Sequence, residues 1–149
     1  MIPSTHAPKV EVRNVQRKLA VNVADLQEFA YKAATLCLRL PKKNNTDLLI
    51  LSNVSILIVS DRRMSSLHRR FMNESGPTDV ITFQHGEIFI SADTALRNAR
   101  RVENPLNREL RLYIVHGLLH LHGFDDRDPA SAGKMRAAEK KILSTLQEV

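Results

Sequence analysis

The segment HGLLHLHGFDD, residues 116–126, carries histidines and carboxylates with the spacing of a metal site. His116 and His120 are four positions apart, and in an α-helix side chains with that spacing lie on one face with Cβ atoms about 6 Å from each other. Both rings can therefore bind the same ion, and a histidine pair with this spacing on a helix is a known metal-binding pattern. His122 is rotated by about 160° from that face on helical geometry, so we exclude it as a ligand.

The residues that follow the predicted helix supply a third ligand. Gly123 occupies the place where a glycine in the left-handed conformation ends a helix and turns the chain back. Asp126 then passes the two rings and can bind the ion at roughly 2.0 to 2.2 Å, with Asp125 as the neighbouring alternative. Three protein ligands with a fourth position open to water are typical of a catalytic metal site rather than a structural one.

The simpler interpretation is that His116 and His120 are two ordinary half-buried imidazoles. Leu118, Leu119 and Leu121, however, make the helix apolar on nearly every side. Burying two imidazoles there without a partner would cost roughly a few kcal/mol, and a metal ion supplies that partner. The sequence therefore favours the metal site.

Gly117 limits the chemistry of this site. The pattern His-x3-His-x5-Asp has the spacing of the extended zincin motif of metallopeptidases, in which a glutamate directly after the first histidine is the general base. Gly117 stands at that place and has no side chain to accept a proton. The sequence thus disfavours a peptidase of this mechanism. It leaves substrates for which the metal and solvent, or a base from another element, suffice.

The length and composition of the chain predict one domain over residues 1–149. The hydrophobic share of 43% and the charged share of 26% are those of a soluble globular protein, without an apolar run that could span a bilayer and without a signal segment. We therefore expect a cytoplasmic protein with no membrane partner. The net charge of +6 favours a polyanion such as nucleic acid as partner, although many soluble proteins are basic for solubility alone.

Hydrophobic periodicity predicts an α+β single domain, in which helices cover a mixed four-stranded sheet in the order β-α-β-α-β-β-α-α-α. The last helix is expected to pack against the sheet, and the polar segment KKNNTD, residues 42–47, to form a loop. Cys37 falls on an apolar helical stripe and is interpreted as a core residue. The predicted strands are 9–15, Val54–Ser60, Val80–Phe83 and Glu87–Ile90, and the predicted helices are Asp25–Leu40, 62–72, Ala92–Arg101, Leu106–His122 and Ala130–Gln147.

The helix at 62–72 is the most basic element of the chain. Asp61 is its candidate N-cap, and Met64, Leu67 and Phe71 are predicted to face inward. Its outward positions carry the densest basic patch, Arg62, Arg63, Arg69 and Arg70.

Taken together, these motifs resemble a known family. HGLLHLHGFDD looks like the signature H-G-x-L-H-L-x-G-Y-D-H of the YbeY family of ribosomal RNA maturation endoribonucleases. Upstream, GPTDVITF is similar to that family's P-T-D-V-L-S-F, and GEIFIS is similar to its G-D-I-x-I-S. The resemblance covers about residues 50–145, and several motifs in series are much more specific than a histidine pair alone.

The resemblance implies a single zinc-like ion in a cleft between the histidine helix and the sheet, with His116, His120 and Asp126 at the family's ligand positions. It also implies cleavage of single-stranded RNA, with precursor rRNA and the ribosome or its small subunit as partners, in rRNA maturation and ribosome quality control. Two alternatives stay open. One is a ribosome-associated RNA-binding module with a structural metal, and the other is a metallohydrolase of another substrate.

The chain departs from the family pattern at two places. The third ligand of the family is a histidine, and here it is Asp126, which lowers the net charge of a zinc site and makes other divalent ions more plausible. The family's phosphate-binding arginine falls at Met72. Arg69 lies three residues earlier on nearly the same helical face, so it is the candidate catalytic substitute. The interpretation of Arg69 as a solvated surface residue has equal weight.

Other polar residues are expected to have supporting roles. Glu109 lies two helical turns before His116 on a similar face, so it is a candidate hydrogen-bond partner for a ligand imidazole. Thr78 and Asp79 are predicted to brace the turn before a strand. His68 and His85, not counted here as ligands, are expected to be bystanders.

Overall fold

A computed structural model of the chain describes residues 7–42 and 46–147. Over these residues it has six helices and a four-stranded mixed sheet in one domain, which confirms the predicted fold class. None of the described helices combines the length and apolar character that crossing a membrane requires. In chain order the elements are β1 (Lys9–Asn14), α1 (Val23–Leu38), α2 (Asp47–Ile50), β2 (Asn53–Val59), α3 (Asp61–Met72), β3 (Val80–Phe83), β4 (Glu87–Ser91), α4 (Ala92–Arg101), α5 (Leu106–Leu121) and α6 (Pro129–Leu146).

The sheet has the strand order β1-β2-β4-β3, so β2 and β4 are central and β1 and β3 form the edges. β1, β2 and β4 are parallel, and β3 pairs antiparallel with β4 through the predicted hairpin. The hairpin turn requires glycine at Gly86, because φ there is +110° and a Cβ would lie 2.7 Å from the carbonyl oxygen of Asn53. The antiparallel edge strand makes the sheet mixed, as the sequence predicts.

Alternating side chains of the sheet build two cores, one on each face. On one face Ile56, Ile58 and Ile88 are fully buried with residues of α1 and α5. On the other face Phe89 packs with Met64 of α3. Because successive side chains of a strand point to opposite faces, α3 and α5 lie on opposite sides of the sheet.

α6 is placed differently from the prediction. Its buried residues Met135, Ala138 and Ile142 follow the predicted apolar stripe. The helix nevertheless packs against α5 and α1 rather than against the sheet. α1 and α5 already cover that face of the sheet, so α6 forms a further layer over them and borders the histidines of α5.

α3 begins one residue earlier than predicted. Ser60, not Asp61, is the N-cap, and its hydroxyl accepts a hydrogen bond of 3.2 Å from the third helical N–H. The carboxylate of Asp61 instead accepts hydrogen bonds from the hydroxyls of Ser91 and Thr94. It also forms an ion pair of 2.7 Å with Arg97, so this residue ties the start of α3 to the start of α4.

The inward face of α3 is shorter than predicted. Met64 and Leu67 are buried, but Phe71 is 55% exposed. The last turn of α3 lies near the end of the edge strand β3, where Phe71 packs edge-to-face on Phe83 with ring centroids 5.2 Å apart and its other side faces solvent. The predicted inward position of Phe71 is therefore wrong.

The short helix α2 is not predicted by the periodicity of the sequence. Thr46 caps it by accepting a hydrogen bond from the N–H of Leu49 at 3.3 Å, and Leu48 is fully buried. The predicted loop KKNNTD therefore gives way to a helix at Asp47, and its residues 43–45 lie outside the described residues. Four residues are too few for a 3.6-residue period to be recognised.

Candidate metal centre

α5 carries the two histidines and is held on several sides. Leu110, Ile114 and Leu118 are almost completely buried, and the helix contacts α1, α4, α6 and both strands of the hairpin. It spans Leu106–Leu121, one residue less than predicted, with His122 as its C-cap. This packing fixes the helix axis and leaves the rings near its last turn at the rim of the core.

Gly117 lies where α5 comes closest to the sheet. A Cβ at this position would stand 2.6 Å from Cγ2 of Ile88, which is fully buried in β4. No side chain fits there without moving the helix away from the strand. The place where a zincin carries its glutamate base is thus closed by packing.

The chain reverses after α5 through a Schellman motif. The N–H of Gly123 donates to the carbonyl oxygen of His120 at 3.1 Å, and the N–H of Phe124 donates to that of Leu119 at 3.0 Å. Gly123 has a φ of +93°, as the predicted helix stop requires. This reversal carries Asp126 back past the histidine rings.

The side chains of His116, His120 and Asp126 come together at the end of α5. Their ligand atoms all lie within 4.8 Å of one another, with 3.1 Å between the two Nε2 atoms and 3.7 Å from Nε2 of His116 to Oδ2 of Asp126. Two atoms bound to one tetrahedral zinc ion at about 2.05 Å lie about 3.3 Å apart, so the cluster has the dimensions of a metal site. Asp125 is not part of it, since its carboxylate accepts a hydrogen bond from the N–H of Arg127 at 3.2 Å.

The other nitrogen of each ring is bound to an acceptor. Nδ1 of His116 lies 2.6 Å from Oε2 of Glu139, and Nδ1 of His120 lies 3.1 Å from the carbonyl oxygen of Phe124. A carboxylate and a carbonyl can only accept, so each Nδ1 carries a proton and donates it. Each neutral ring then directs an Nε2 lone pair at the other ring across 3.1 Å. This arrangement requires a shared cation, either a proton or a metal ion.

The pKa values of the two histidines shift in opposite directions. Burial disfavours the charged form of His116, but the hydrogen bond and the negative charge of Glu139 outweigh it and raise the pKa of His116 above its ordinary value. Burial and the neighbouring His116 both lower the pKa of His120. Opposite shifts are expected of two rings that share one positive charge. By its chemistry and spacing, the donor set of two imidazoles and a carboxylate fits a divalent ion such as zinc.

A cleft of about 410 Å³ opens beside two of the three candidate ligands. His116 and Asp126 line it together with the carboxylates of Asp79 and Glu109 and the guanidinium of Arg136. A carboxylate can take up a proton, and a guanidinium can bind a phosphate through two parallel hydrogen bonds. The cleft thus contains proton acceptors and a phosphate-binding group, whereas Gly117 has no side chain that could accept a proton.

A larger cavity, of about 740 Å³, borders His120 on the side of the hairpin. Lys42, Gln84 and Lys134 line it, and Phe124 forms an aromatic wall. The ammonium group of Lys42 lies 3.9 Å from the centre of the Phe124 ring. The lining also includes Asp47, so the cavity combines two lysines with one carboxylate next to His120.

The sequence missed Glu139, which holds His116, and pointed instead to Glu109. Glu109 is buried and lines the cleft beside Tyr113 rather than binding either histidine ring. The signal for Glu139 is its place on α6, directly after the buried Ala138. A carboxylate on an apolar helical face needs a partner, but the sequence does not say which neighbouring element provides it.

The structure does not bring Arg69 to the three ligands. Arg69 lies on α3 in a groove with Arg62, Ser65, Ser66 and Arg70, on the opposite side of the sheet from α5. Its predicted catalytic role therefore lacks geometric support and stays a prediction for measurement. Helical geometry relates Arg69 to Met72 within α3, but it does not place α3 relative to α5.

The excluded histidines have other partners. Nδ1 of His122 lies 2.9 Å from the hydroxyl of Thr46 and its Nε2 lies 2.8 Å from the carbonyl oxygen of Leu40. Burial lowers the pKa of His122, so this ring is a neutral structural group. His68 binds the loop after α3, and His85 pairs with the carboxylate of its strand neighbour in the hairpin.

Asp79 braces the turn before β3, as predicted, and it also lines the cleft. Its carboxylate accepts hydrogen bonds from the N–H of Val80 at 2.8 Å and from the hydroxyl of Thr78 at 3.4 Å, which braces the start of β3. The same carboxylate lines the cleft next to His116. The turn therefore also contributes a negative charge to the candidate centre.

A layered α+β fold with a histidine pair on a packed helix, a carboxylate beyond a glycine turn and an adjoining cleft defines a candidate metal-binding hydrolase domain. The family model described as endoribonuclease YbeY matches residues 11–147. The chain belongs to the YbeY family, which confirms the resemblance found in its motifs.

Individual relatives agree with this assignment. The chain is 36% identical over 100 residues to the endoribonuclease YbeY of Phocaeicola vulgatus, covering 62% of this chain and 72% of that protein. It is 38% identical over 101 residues to the endoribonuclease YbeY of an Anaeromyxobacter species, covering 61% of this chain and 53% of that protein. The match therefore spans only about half of some relatives.

A solved structure is similar in fold. The solution structure of a Thermotoga maritima protein superposes with a TM-score of 0.59, covering 91% of this chain and 90% of that one. The two sequences are 22% identical, so the similarity supports the fold and nothing further.

Proposed function

We propose that this chain is a metal-dependent endoribonuclease that cleaves single-stranded RNA, with His116, His120 and Asp126 binding one divalent ion, expected to be zinc. The observation that carries the proposal is the pair of Nε2 atoms 3.1 Å apart, whose rings have both committed Nδ1 to an acceptor. The names of its relatives support an RNA substrate. From the family we further propose that the substrate is precursor rRNA, that the partner is the small ribosomal subunit, and that the protein acts in the cytoplasm.

The residues around the ligands have definable tasks in this reaction. When bound, the ion would supply Lewis-acid chemistry to a water or a phosphate oxygen. Glu139 keeps His116 in the tautomer that presents Nε2 to the centre. Arg136 can hold a phosphate in the cleft, and Asp79 or Glu109 can accept the proton of the attacking hydroxyl or water.

The position of the ligands supports an enzyme over a module with a structural metal. Asp126 has 50% of its side chain exposed and His116 has 26% exposed, so the cluster lies at the rim of the core. The core itself is built from apolar side chains of α1, α5, α6 and the sheet. We therefore expect the fold to survive without the ion, unlike domains that fold around their zinc.

The test combines elemental analysis of the untreated protein with cleavage of a short single-stranded RNA. We expect about one equivalent of metal, as one three-ligand site implies, and cleavage that a chelator abolishes while the circular dichroism spectrum stays unchanged. His116→Ala should lose both the metal and the cleavage, and Asp125→Ala, which removes a carboxylate outside the cluster, should keep both. Full activity of metal-free protein would refute the proposal, and unfolding on chelation without cleavage under any condition would favour the structural module.

A further inference from the structure

We propose that the outward face of α3 is an RNA-docking surface, which holds the phosphate backbone of a single strand and leads that strand around the β3–β4 turn to the candidate metal centre. This inference rests on the proposed function for its substrate. It depends on residues that lie across the sheet from the three ligands. We call these residues the α3 face: Arg62, Arg63, Arg69, Arg70 and Phe71.

The orientation of the α3 face follows from the packing of the helix. Met64 and Leu67 are buried against the sheet, so the arginines of the helix point into solvent. Arg62, Arg69 and Arg70 line one shallow groove of about 330 Å³ together with two serine hydroxyls. Guanidinium and hydroxyl donors along one groove are suited to consecutive phosphates.

The charges of the α3 face are available to a ligand. Elsewhere in the described chain, arginines with structural roles are paired, as in the contact of Arg97 with Asp61 at 2.7 Å and of Arg111 with Asp25 at 2.9 Å. Within the described residues, none of the four arginines of the α3 face forms an ion pair. Their charge is therefore not neutralised by the fold.

Aromatic rings continue this face toward the hairpin. Phe71 is 55% exposed, and the guanidinium of Arg70 lies 5.8 Å from the centre of its ring. Phe83 follows, with its centroid 5.2 Å from that of Phe71, and the ring of His85 stacks on Phe83 at 5.7 Å. An exposed ring beside a basic groove is a platform on which an unpaired base can stack.

The hairpin turn that carries the last of these rings also reaches the cavity beside His120. Gln84, between Phe83 and His85 in the hairpin turn, lines the cavity of about 740 Å³ that borders His120. Lys134 of α6 lines the same cavity. The hairpin thus has a ring against Phe71 of α3 and a side chain in the cavity beside His120, and we place the path of the strand along it.

Charge and aromatic rings together favour RNA over an acidic protein as occupant. An acidic protein would need only the arginines, for ion pairs. RNA would also use the aromatic rings between the cationic groups, because its bases can stack on them. The net charge of +6 agrees with a polyanion. A strand long enough to pass around the hairpin can touch both the α3 face and the centre, and a short oligonucleotide can touch only one of them.

The experiment uses the double variant Arg62→Ala, Arg70→Ala and the charge-matched control Arg39→Ala, Lys141→Ala. The two control residues are exposed next to α1 and on α6, and within the described residues neither forms an ion pair. Binding of a long single-stranded RNA is measured in chelator as a function of salt, and cleavage of long and short substrates is measured with metal. We expect the α3 variant to bind the long RNA about tenfold or more weakly, with a salt slope smaller by roughly 1.4 for two lost phosphate contacts. The control should bind like the wild type.

Cleavage separates this inference from the proposed function. We expect the α3 variant to raise the KM for the long substrate while the kcat/KM for the short one stays unchanged. If the wild type cleaves nothing, the proposed function fails, and the binding data in chelator still decide the docking surface. Unchanged affinity and salt slope in the α3 variant would overturn the inference and leave an acidic protein as the occupant. An equal loss in the control would also overturn it, because the binding would then reflect net charge alone.

Discussion

The hydrogen bond between His116 and Glu139 determines which nitrogen of the ring faces the candidate centre. At 2.6 Å it is short, as expected for a bond to a carboxylate, and it raises the pKa of His116 against the effect of burial. A ring held in this way presents Nε2 without reorganisation when a metal binds. The two glutamates of the cleft, Glu139 and Glu109, therefore differ in role even though both line it.

That difference predicts how substitutions of the two glutamates change metal binding. Glu139→Gln should lower metal affinity about tenfold to a hundredfold, because the amide holds the ring less firmly and does not reinforce its basicity. Glu109→Gln is the matched control and should leave affinity within about twofold of the wild type, since Glu109 binds neither ring. Competition with a chromophoric zinc chelator measures both. A larger loss in Glu109→Gln would restore the role that the sequence assigned to Glu109.

The contact of α5 with β4 shows how packing between elements limits chemistry. Gly117 allows the helix to lie directly on Ile88, which sets the height of the histidine rings above the sheet. The same closeness prevents a glutamate base at this position, so a proton acceptor has to come from another residue. Asp79, before β3, and Glu109, two turns before His116 on α5, are carboxylates of the cleft that bind neither histidine ring.

At this scale we predict that Gly117→Ala destabilises the protein although alanine favours helix. Overpacking of about 1 to 3 kcal/mol outweighs the roughly 1 kcal/mol gained in helix propensity, for a net loss of up to about 2 kcal/mol. Gly133→Ala on α6 is the control, because a Cβ there meets nothing closer than a guanidinium nitrogen of Arg136 at 3.9 Å. It should raise the free energy of unfolding by up to about 1 kcal/mol. Urea denaturation measures both, and stabilisation by Gly117→Ala would contradict the close packing.

The sheet separates Arg136 from the arginines of α3. Arg136 lies on α6 and lines the cleft with His116, while Arg69 lies on α3 behind the sheet. When a short substrate is bound at the candidate centre, only Arg136 can reach its phosphate. In our proposal, RNA therefore contacts basic residues at two places, Arg136 in the cleft and the arginines of the α3 face.

We therefore predict that Arg136→Ala lowers kcat/KM for a short single-stranded RNA by about tenfold, as expected for one charged hydrogen bond to phosphate. Arg136→Lys should recover part of the loss, because charge is kept and bidentate geometry is not. Arg69→Ala should act mainly on long RNA. The reverse result, a large loss for the short substrate with Arg69→Ala alone, would establish Arg69 in the catalytic role predicted from the sequence.

Local patterns in the sequence determined the parts of this protein that depend on neighbouring residues. The spacing of His116 and His120, the glycine stop at Gly123 and the return of Asp126 all follow from helix geometry within eleven residues. Strand alternation and turn residues likewise predicted the sheet and its hairpin. The motifs in series along the chain also predicted the family, and the family implies an RNA substrate.

Tertiary structure alone decided which elements meet. Glu139 is 23 residues from His116, α6 packs on helices instead of the sheet, and Arg69 lies behind the sheet. Periodicity shows which face of an element is buried but not which partner covers it, since many apolar surfaces are equally suitable. The tautomer of His116, the residues of the cleft and the separation of the arginine faces therefore required the folded molecule.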